Sequence, residues 1–229
     1  MSKVNKLIND MVRPLGFQFK KTGTLNGFWS INPEFVSLYK SIADRTLVGI
    51  DKSYMIYQYA CYAARHIPGD VAQLGVYRGG SAKIIAECFK GKNRKIYLFD
   101  TFDGLPEEVK EGESKLFSDT SVSEVKKYLE DYSDIEFRVG FFPDTAQDLS
   151  GKTFSFVYLD GDMYESIRDG LEFFYPKLAP GGIILVDDYG SPKWTGVKKA
   201  VEELTARENI EEIHTTWWQC LIIKPLLVK

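Results

Sequence analysis

The stretch QLGVYRGGS, residues 73–81, joins a short apolar strand to the start of a helix and decides the fold. Val71–Leu74 forms a run typical of a buried strand, and Gly79–Ser81 has the composition of a helix start. Glycines between a strand and a helix let the backbone turn sharply, and they let a ligand lie against main-chain atoms at the helix N-terminus. This segment therefore predicts the first strand–loop–helix unit of an α/β protein and a candidate ligand site.

The same alternation of strand and helix continues along the chain. Strands are predicted at residues 71–74, 95–100, 135–139, 154–159 and 182–186, and helices at 79–89, 123–129, 164–178 and 196–207. Buried strands that alternate with helices require a parallel sheet covered on both faces. The last two predicted strands, at 210–214 and 217–223, follow each other with almost no connection. They are therefore predicted to form an antiparallel hairpin at one edge of the sheet.

The predicted fold class is α/β and Rossmann-like, with a seven-stranded, mostly parallel, doubly wound sheet that ends in an antiparallel hairpin. That ending is typical of class I methyltransferases, whereas a dehydrogenase would place another strand–helix unit there. The 229 residues fit one large domain, which we predict at residues 51–229. Residues 1–50 repeat no pattern, and we interpret them as an N-terminal helical extension that forms a lid over the substrate pocket.

Asp100 ends the second strand, 20 positions beyond Gly80. An acidic residue at that place is positioned to accept hydrogen bonds from both hydroxyls of a ribose. The glycine spacing differs from the GxGxxG of pyrophosphate binders, and the sequence holds no GxxxxGK[ST] phosphate loop. After the third strand, Phe141, Phe142 and Asp144 stand where an adenine ring would lie. One phenylalanine is expected in the core and the other on the ring, so the pattern predicts a nucleoside cofactor.

A second group of acidic residues follows the later strands. Asp160 ends the fourth strand, and Asp187 and Asp188 end the fifth. Because the carboxyl ends of parallel strands meet at one edge of a sheet, these side chains are expected to converge beside the cofactor. Converging carboxylates repel one another unless a cation or a proton joins them, and oxygen ligands suit magnesium, calcium or manganese. A divalent-cation site is predicted here, and the alternative is that these aspartates cap helices and form turns.

Five motifs, in order over about residues 50–205, together resemble the macrocin O-methyltransferase family of sugar-hydroxyl methyltransferases. They are residues 68–82, 99–106, 140–145, 159–166 and 186–189. The resemblance implies S-adenosylmethionine as cofactor and a divalent metal, usually Mg²⁺, held at the acceptor by Asp160, Asp187 and Asp188. One position departs from the family pattern, since Gln73 stands where such enzymes commonly carry an acidic residue. An amide oxygen is still able to accept a hydrogen bond from the methionine amino group.

The predicted reaction transfers the methyl group to a hydroxyl of a sugar or another small molecule. A hydroxyl bound to a dication loses its proton more easily and is held in line with the methyl carbon. Asp162 is the first candidate for the base that takes this proton, and Asp160 is the second. The predicted cofactor contacts are Gln73, Gly75, Tyr77, Arg78, Gly79, Ser81, Asp100, Thr101, Phe141, Phe142, Asp144 and Asp160.

Three alternatives stay open at this point. A catechol or phenol O-methyltransferase would share the ligand layout, although the lysine that catechol enzymes place after the first aspartate is missing from residues 161–164. A non-catalytic nucleoside-binding protein would explain Gln73 as decay of the site, but Asp100 and the predicted metal ligands are all present. An NAD-dependent oxidoreductase is disfavoured by the glycine spacing and by the terminal hairpin.

Composition limits the partners of the protein. The net charge of −3 gives no basic surface for nucleic acid, and no stretch approaches the ~20 apolar residues of a membrane span. The three cysteines fall in no disulfide or metal-ligand pattern, and no signal peptide is recognised, so a cytoplasmic protein with free thiols is expected. The expected partner is a small-molecule acceptor, and the edge strands are compatible with a homo-oligomer.

Overall fold

The computed structural model describes residues 27–105, 116–215 and 217–226, which form a seven-stranded sheet and six α-helices. The strands are β1 (Asp70–Leu74), β2 (Ile96–Asp100), β3 (Ile135–Val139), β4 (Phe154–Leu159), β5 (Leu178–Val186), β6 (Ile213–His214) and β7 (Cys220–Ile223). The helices are α1 (Pro33–Ile42), α2 (Ile50–His66), α3 (Gly80–Phe89), α4 (Val122–Tyr128), α5 (Tyr164–Phe174) and α6 (Thr195–Glu208). Residues 1–26 of the predicted extension and Pro106 of the second motif lie outside the described residues.

The sheet has the strand order β3-β2-β1-β4-β5-β7-β6. Strands β1 to β5 pair in parallel, and β7 pairs antiparallel with both β5 and β6. This arrangement confirms the predicted fold class. The order reverses between β1 and β4, whose ends lie side by side with Leu74 opposite Leu159. Open α/β sheets bind ligands outside the carboxyl ends of the strands at such a reversal.

Several element boundaries differ from the sequence prediction. The helix predicted to reach residue 178 ends with α5, because Pro176 lies in the next short turn and has no backbone N–H for a helical hydrogen bond. Strand β5 then begins at Leu178 rather than at residue 182. Strand β7 begins later than predicted, because Trp217 and Trp218 have φ angles of 50° and 60°, which belong to left-handed backbone rather than to a strand.

Helices cover both faces of the sheet, as expected for a doubly wound fold. One apolar cluster joins α2, α3 and α4 to the sheet, and a second joins α5 and α6 to the opposite face. Strand β4 is buried along its whole length and serves both clusters. Phe156 and Tyr158 point to the first cluster, and Val157 and Leu159 to the second. This alternation places Tyr158 and Asp160, two residues apart, on the same face of the sheet.

The described part of the predicted N-terminal extension packs into the domain. Phe35 and Ile42 of α1 are fully buried, and the ring of Phe35 lies 4.8 Å from that of Tyr54 in α2. The lid function of the extension stays a prediction. Within the described ranges, no helix is both long enough and apolar enough to cross a membrane.

Strand β1 ends in a close contact with the residue that follows β4. Gly75 has a φ of 84°, and a Cβ atom at this position would lie 1.9 Å from the carbonyl oxygen of Asp160. The two main chains are joined beside this contact, where Asp160 N–H donates to the carbonyl oxygen of Leu74 at 2.9 Å. Only glycine combines this φ with this approach. The contact therefore fixes the glycine loop relative to Asp160.

Gly75→Ala should lower the free energy of unfolding by at least about 2 kcal/mol, because the added methyl group meets a main-chain carbonyl and the φ is strained for alanine. Urea denaturation of the purified protein measures this change. Gly151→Ala is the matched control, since nothing lies within 4 Å of a Cβ there and its φ is outside the left-handed region. Equal stability of the two variants would contradict the proposed role of the contact.

Candidate active site

A cavity of about 360 Å³ opens at the carboxyl edge of the sheet, where β1 and β4 meet. Its walls include residues that follow four strands: Gly75 after β1, Thr101 after β2, Asp160 after β4 and Asp187 after β5. Residues 45–48 and Lys52 also line it, from the segment before and within α2. These residues could not be singled out from the sequence, because no local motif marks them.

The glycine loop is held from outside by residues 45 and 46. Gly80 N–H donates to the carbonyl oxygen of Arg45 at 3.1 Å, and a Cβ on Gly80 would lie 2.7 Å from that same oxygen. Gly79, whose φ is 85°, forms the N-cap of α3. Because the two main chains touch at Gly80, the segment before α2 forms part of the wall of the cavity.

Asp100 fixes the loop in addition to facing the cavity. Its Oδ2 accepts hydrogen bonds from the N–H groups of Val76 at 2.7 Å and Tyr77 at 2.9 Å. Its Oδ1 accepts from the N–H of Phe102 at 2.7 Å. A carboxylate offers about four lone-pair positions, so one acceptor position remains for a ligand. Sequence reasoning predicted the ligand contact and missed the structural one.

Gln73 lies fully buried beneath the loop and is not part of the cavity wall. Its Nε2 donates to the carbonyl oxygen of Gly75 at 2.7 Å and to the Ser81 hydroxyl at 2.8 Å. Its Oε1 has no hydrogen-bond partner among the described residues. A buried acceptor without a donor is costly, so a donor supplied by a ligand at this point would be favourable.

The two phenylalanines after β3 have different surroundings. Phe142 packs in an aromatic cluster, with its ring 5.2 Å from that of Phe99 and 5.5 Å from that of Phe174. Phe141 is 64% exposed, and both residues line the cavity. Asp144 begins the short helix Asp144–Leu149 and is not in the cavity wall.

Tyr77 and Arg78 share a partner in the chain segment beyond β2. The Tyr77 hydroxyl donates to Asp119 at 2.7 Å, and the Arg78 guanidinium pairs with the same carboxylate. Tyr77 lines the cavity, as does Phe117, whose ring packs edge-on at 5.7 Å. Arg78 and Gly79 do not line the cavity, so a cofactor would have to extend beyond the cavity wall to make their predicted contacts.

Three carboxylates converge on the other side of the cavity. Oxygen atoms of Asp160, Asp162 and Asp188 all lie within 4.8 Å of one another. Asp162 and Asp188 both have a φ of 57°, the left-handed conformation that aspartate tolerates better than most residues. None of the three caps a helix, because Met163 and Trp194 occupy the N-cap positions of α5 and α6. The helix-capping part of the alternative is therefore wrong for these three residues, whereas its turn part applies to Asp188, whose carbonyl oxygen accepts from the N–H of Ser191 at 2.9 Å.

Asp187, predicted as the third metal ligand, already has three protein partners. It is 3% exposed and accepts from Tyr158 Oη at 2.9 Å and from the N–H of Asp188 at 2.9 Å. The ammonium of Lys52 lies 2.6 Å from Asp187 Oδ1 and 2.9 Å from Asp188 Oδ1. The Tyr158 hydroxyl also lies 3.1 Å from Asp160 Oδ2, so it bridges two of the carboxylates.

Sequence reasoning missed both Tyr158 and Lys52. A signal for Tyr158 was available, because residues two apart in a strand share a face and Asp160 follows it at that spacing. Lys52 is separated from Asp188 by 136 positions along the chain, and only the tertiary fold brings them together.

Burial and mutual repulsion shift the pKa values of the cluster. Burial, followed by the charges of Asp187, Asp162 and Asp188, raises the pKa of Asp160 well above its usual range. Burial and the same kind of repulsion raise the pKa of Asp162 to about 7. Burial also raises the pKa of Asp187, with Lys52 opposing the shift. Burial lowers the pKa of Lys52, but the two contacting aspartates outweigh it and the net shift is upward. Burial and mutual repulsion therefore favour the protonated forms of Asp160 and Asp162 when no divalent cation is bound.

The stability of the metal-free protein should depend on the pH through Asp162. Because its pKa is raised to about 7, the neutral form is favoured on folding, and this stabilisation is lost as the pH rises from about 4 to about 7. Urea denaturation in excess chelator at pH 5 and pH 7.5 should show a smaller loss for Asp162→Asn than for the wild type. Asp131→Asn, an exposed carboxylate away from the cavity, is the control. Parallel pH curves for the wild type and Asp162→Asn would contradict the assigned shift.

The family of the chain follows from its sequence match. A family described as Macrocin-O-methyltransferase (TylF) matches residues 43–222, which span the sheet, the glycine loop and the acidic cluster. The chain belongs to the macrocin O-methyltransferase family. This confirms the resemblance found in the sequence motifs.

Two relatives of the chain are named as O-methyltransferases. The chain is 30% identical over 200 residues to the demethyldecarbamoylnovobiocin O-methyltransferase of Streptomyces niveus, covering 76% of this chain and 75% of that protein. It is also 30% identical over 162 residues to the 8-demethyl-8-(2,3-dimethoxy-alpha-L-rhamnosyl)-tetracenomycin-C 4'-O-methyltransferase of Streptomyces olivaceus. That match covers 63% of this chain and spans 62% of the length of the relative.

Solved structures give the same fold. The O-methyltransferase NovP superposes with a TM-score of 0.67 at 27% identity, covering 79% of this chain and 82% of NovP. The calicheamicin methyltransferase CalS11 superposes with a TM-score of 0.64 at 18% identity, covering 97% of this chain and 93% of that one. At that lower identity the likeness concerns the fold alone.

Proposed function

We propose that this macrocin O-methyltransferase family member transfers the methyl group of S-adenosylmethionine to a hydroxyl of a sugar or another natural product, assisted by a divalent cation. The observation that carries the proposal is one shared cavity, with the glycine loop on one side and Asp160, Asp162 and Asp188 on the other. The relatives that modify a rhamnosyl-tetracenomycin and a novobiocin precursor support the acceptor class. A non-catalytic nucleoside-binding role would leave the convergence of three carboxylates beside the loop without a use.

The cofactor would lie across the ends of β1 and β2. Asp100 has one acceptor position free toward the cavity for a ribose hydroxyl, and Phe141 offers an exposed ring beside it for the adenine. The unpaired Oε1 of Gln73 is an acceptor that suits the ammonium of the methionine part, but it is buried under the loop, so this contact would require the loop to move. Most of the predicted cofactor contacts line the cavity, including the loop residues Gly75, Tyr77 and Ser81 as well as Thr101 and Asp160. Four of them do not line it: Gln73, Arg78, Gly79 and Asp144.

The acidic cluster fits a divalent cation by its chemistry. Asp160, Asp187 and Asp188 would hold the ion, since carboxylate oxygens are the ligands that magnesium prefers. The bound ion would lower the pKa of the acceptor hydroxyl and orient it. Asp187 and Asp188 would then have to lose their present ion pairs with Lys52 and contact the cation instead.

The proton of the acceptor hydroxyl needs a base next to the cluster, and Asp162 is our first assignment. It lines the cavity with its carboxylate close to those of Asp160 and Asp188. In the transfer step the hydroxyl oxygen would bond to the methyl carbon as the methyl–sulfur bond breaks, and the carboxylate of Asp162 would take the hydroxyl proton. S-adenosylhomocysteine leaves with the electron pair of that bond. Asp160 is the second candidate, in addition to its role as a ligand.

Phe117, Met163 and Trp194 form part of the cavity wall, and we assign these apolar side chains to the acceptor. Aromatic side chains such as those of Phe117 and Trp194 pack against the apolar faces of sugars and against aromatic rings. A homocysteine-release assay with nucleotide sugars, glycosides and catechols would identify the acceptor. Transfer to catechols but not to glycosides would replace the proposed acceptor class with the phenolic one.

Asp100→Ala should weaken S-adenosylmethionine binding by about tenfold or more, because it removes a charged acceptor and releases two N–H groups of the loop. Asp100→Asn keeps one acceptor oxygen and should fall between the wild type and the alanine variant. Titration calorimetry measures all three, with Asp103→Ala as the control at an exposed position outside the cavity wall. Unchanged affinity in Asp100→Ala would contradict the ribose assignment.

Excess chelator should abolish methyl transfer while S-adenosylmethionine stays bound, because the cluster and the loop lie on different strands. Added magnesium should restore turnover. Asp188→Asn should raise the magnesium concentration needed for half-maximal rate, and Asp162→Asn should lower turnover with magnesium affinity nearly unchanged. Full activity in chelator would remove the metal from the mechanism, and a large loss of magnesium affinity in Asp162→Asn would make Asp162 a ligand instead of the base.

A further inference from the structure

Lys52 occupies the position where the acidic cluster would meet a cation. Its ammonium contacts Asp187 Oδ1 at 2.6 Å and Asp188 Oδ1 at 2.9 Å, and its side chain is 15% exposed at the cavity wall. It comes from α2, whereas both aspartates follow β5. A single ammonium thus bridges two adjacent carboxylates that the proposed function assigns to a divalent ion.

Two cations cannot occupy the same carboxylate oxygens at contact distance. The ammonium carries one charge on a flexible four-carbon stem, and a divalent ion carries two charges and requires several oxygen ligands. Binding of the ion to Asp187 and Asp188 would therefore break both contacts of Lys52. Those contacts are charge-assisted hydrogen bonds, so breaking them subtracts from the affinity for the ion.

We propose that Lys52 is a tethered competitor of the divalent cation: it holds Asp187 and Asp188 together while the site is empty and withdraws when the ion binds. Lys52 is thus a positioning residue that sets the cation affinity of the site. The inference rests on the proposed function, because it needs a divalent ion at these aspartates.

The surroundings of Lys52 permit such a movement. Its neighbours Ser53, Tyr54 and Ile56 are buried, so the helix is anchored while the lysine faces the cavity. The carboxylates do not depend on Lys52 alone for their geometry. Tyr158 Oη, at 2.9 Å from Asp187 and 3.1 Å from Asp160, remains between them when the ammonium leaves.

The test measures binding of Mg²⁺ and Mn²⁺ to the protein by titration calorimetry, with no acceptor present. Lys52→Met keeps a side chain of similar length and removes the competing charge, so its affinity for both ions should be about ten to a hundred times that of the wild type. Lys52→Arg keeps the charge and should bind no more tightly than the wild type. Lys198→Met is the control, because Lys198 lies in α6 outside the cavity wall and pairs with Glu202.

A second measurement covers the case in which Lys52→Met is hard to purify. Lys52→Gln, with and without Mg²⁺, should show a lower melting temperature than the wild type in chelator and a larger increase on addition of the ion. A structural ion pair with no link to the cation would give the same loss in chelator and no extra increase. That result would overturn the inference.

The other possible results of the binding experiment also support or overturn the inference. Unchanged or weaker ion binding in Lys52→Met, or an equal gain in Lys198→Met, would overturn the competition while leaving the cation in the proposed function. Binding by Lys52→Met at ion concentrations that leave the wild type empty would support it. Absence of ion binding in the wild type and in every variant would overturn both the inference and the metal assignment.

Discussion

Four carboxylates, those of Asp160, Asp162, Asp187 and Asp188, lie at the ends of two adjacent strands, and their mutual repulsion is the constraint that shapes the site. Like charges at this separation are tolerated only when protons, cations or hydrogen-bond donors lie between them. The fold provides two such groups, the hydroxyl of Tyr158 from inside the sheet and the ammonium of Lys52 from α2. A buried ion pair of this kind adds little net stability over apolar residues of the same size, although removal of one partner alone is destabilising, so its presence is better explained by a requirement of the site than by a requirement of the fold.

The cofactor side and the acidic side of the cavity are rigidly connected. The carbonyl oxygen of Asp160 lies where a side chain on Gly75 would begin, and the N–H of Asp160 is bonded to Leu74. A displacement of the glycine loop would therefore displace Asp160 as well. In methyl transfer the sulfonium and the acceptor oxygen must be held in line at short distance, and a shared main-chain contact maintains such an alignment better than two independent loops.

The sheet could be predicted because each of its signals is local. Apolar runs of strand length, the turn residues between them and the short connection before β7 are all visible in the sequence, and they gave the fold class and the antiparallel edge. The predicted strand boundaries were wrong where the backbone angles determine the end of a strand, as at Trp217 and Trp218. Site residues at strand ends could be predicted because the carboxyl edge of a parallel sheet is a known location. Lys52 and Arg45 could not, because their partners Asp188 and Gly80 lie far along the chain and their own surroundings follow no recognisable pattern.

Residues 45–52 connect the two halves of the site from one side. Arg45 contacts the glycine loop through its carbonyl oxygen, and Lys52, within the first turn of α2, contacts the acidic pair after β5. Rearrangement of Lys52 alone needs only rotation about its side-chain bonds, because Ser53 and Tyr54 hold the helix in the core. The segment is therefore able to keep the loop fixed while it releases the carboxylates, which would let cation binding change without disturbing the cofactor side. Because the main chain stays fixed while the ammonium of Lys52 moves, cofactor binding and cation binding can be independent in one cavity.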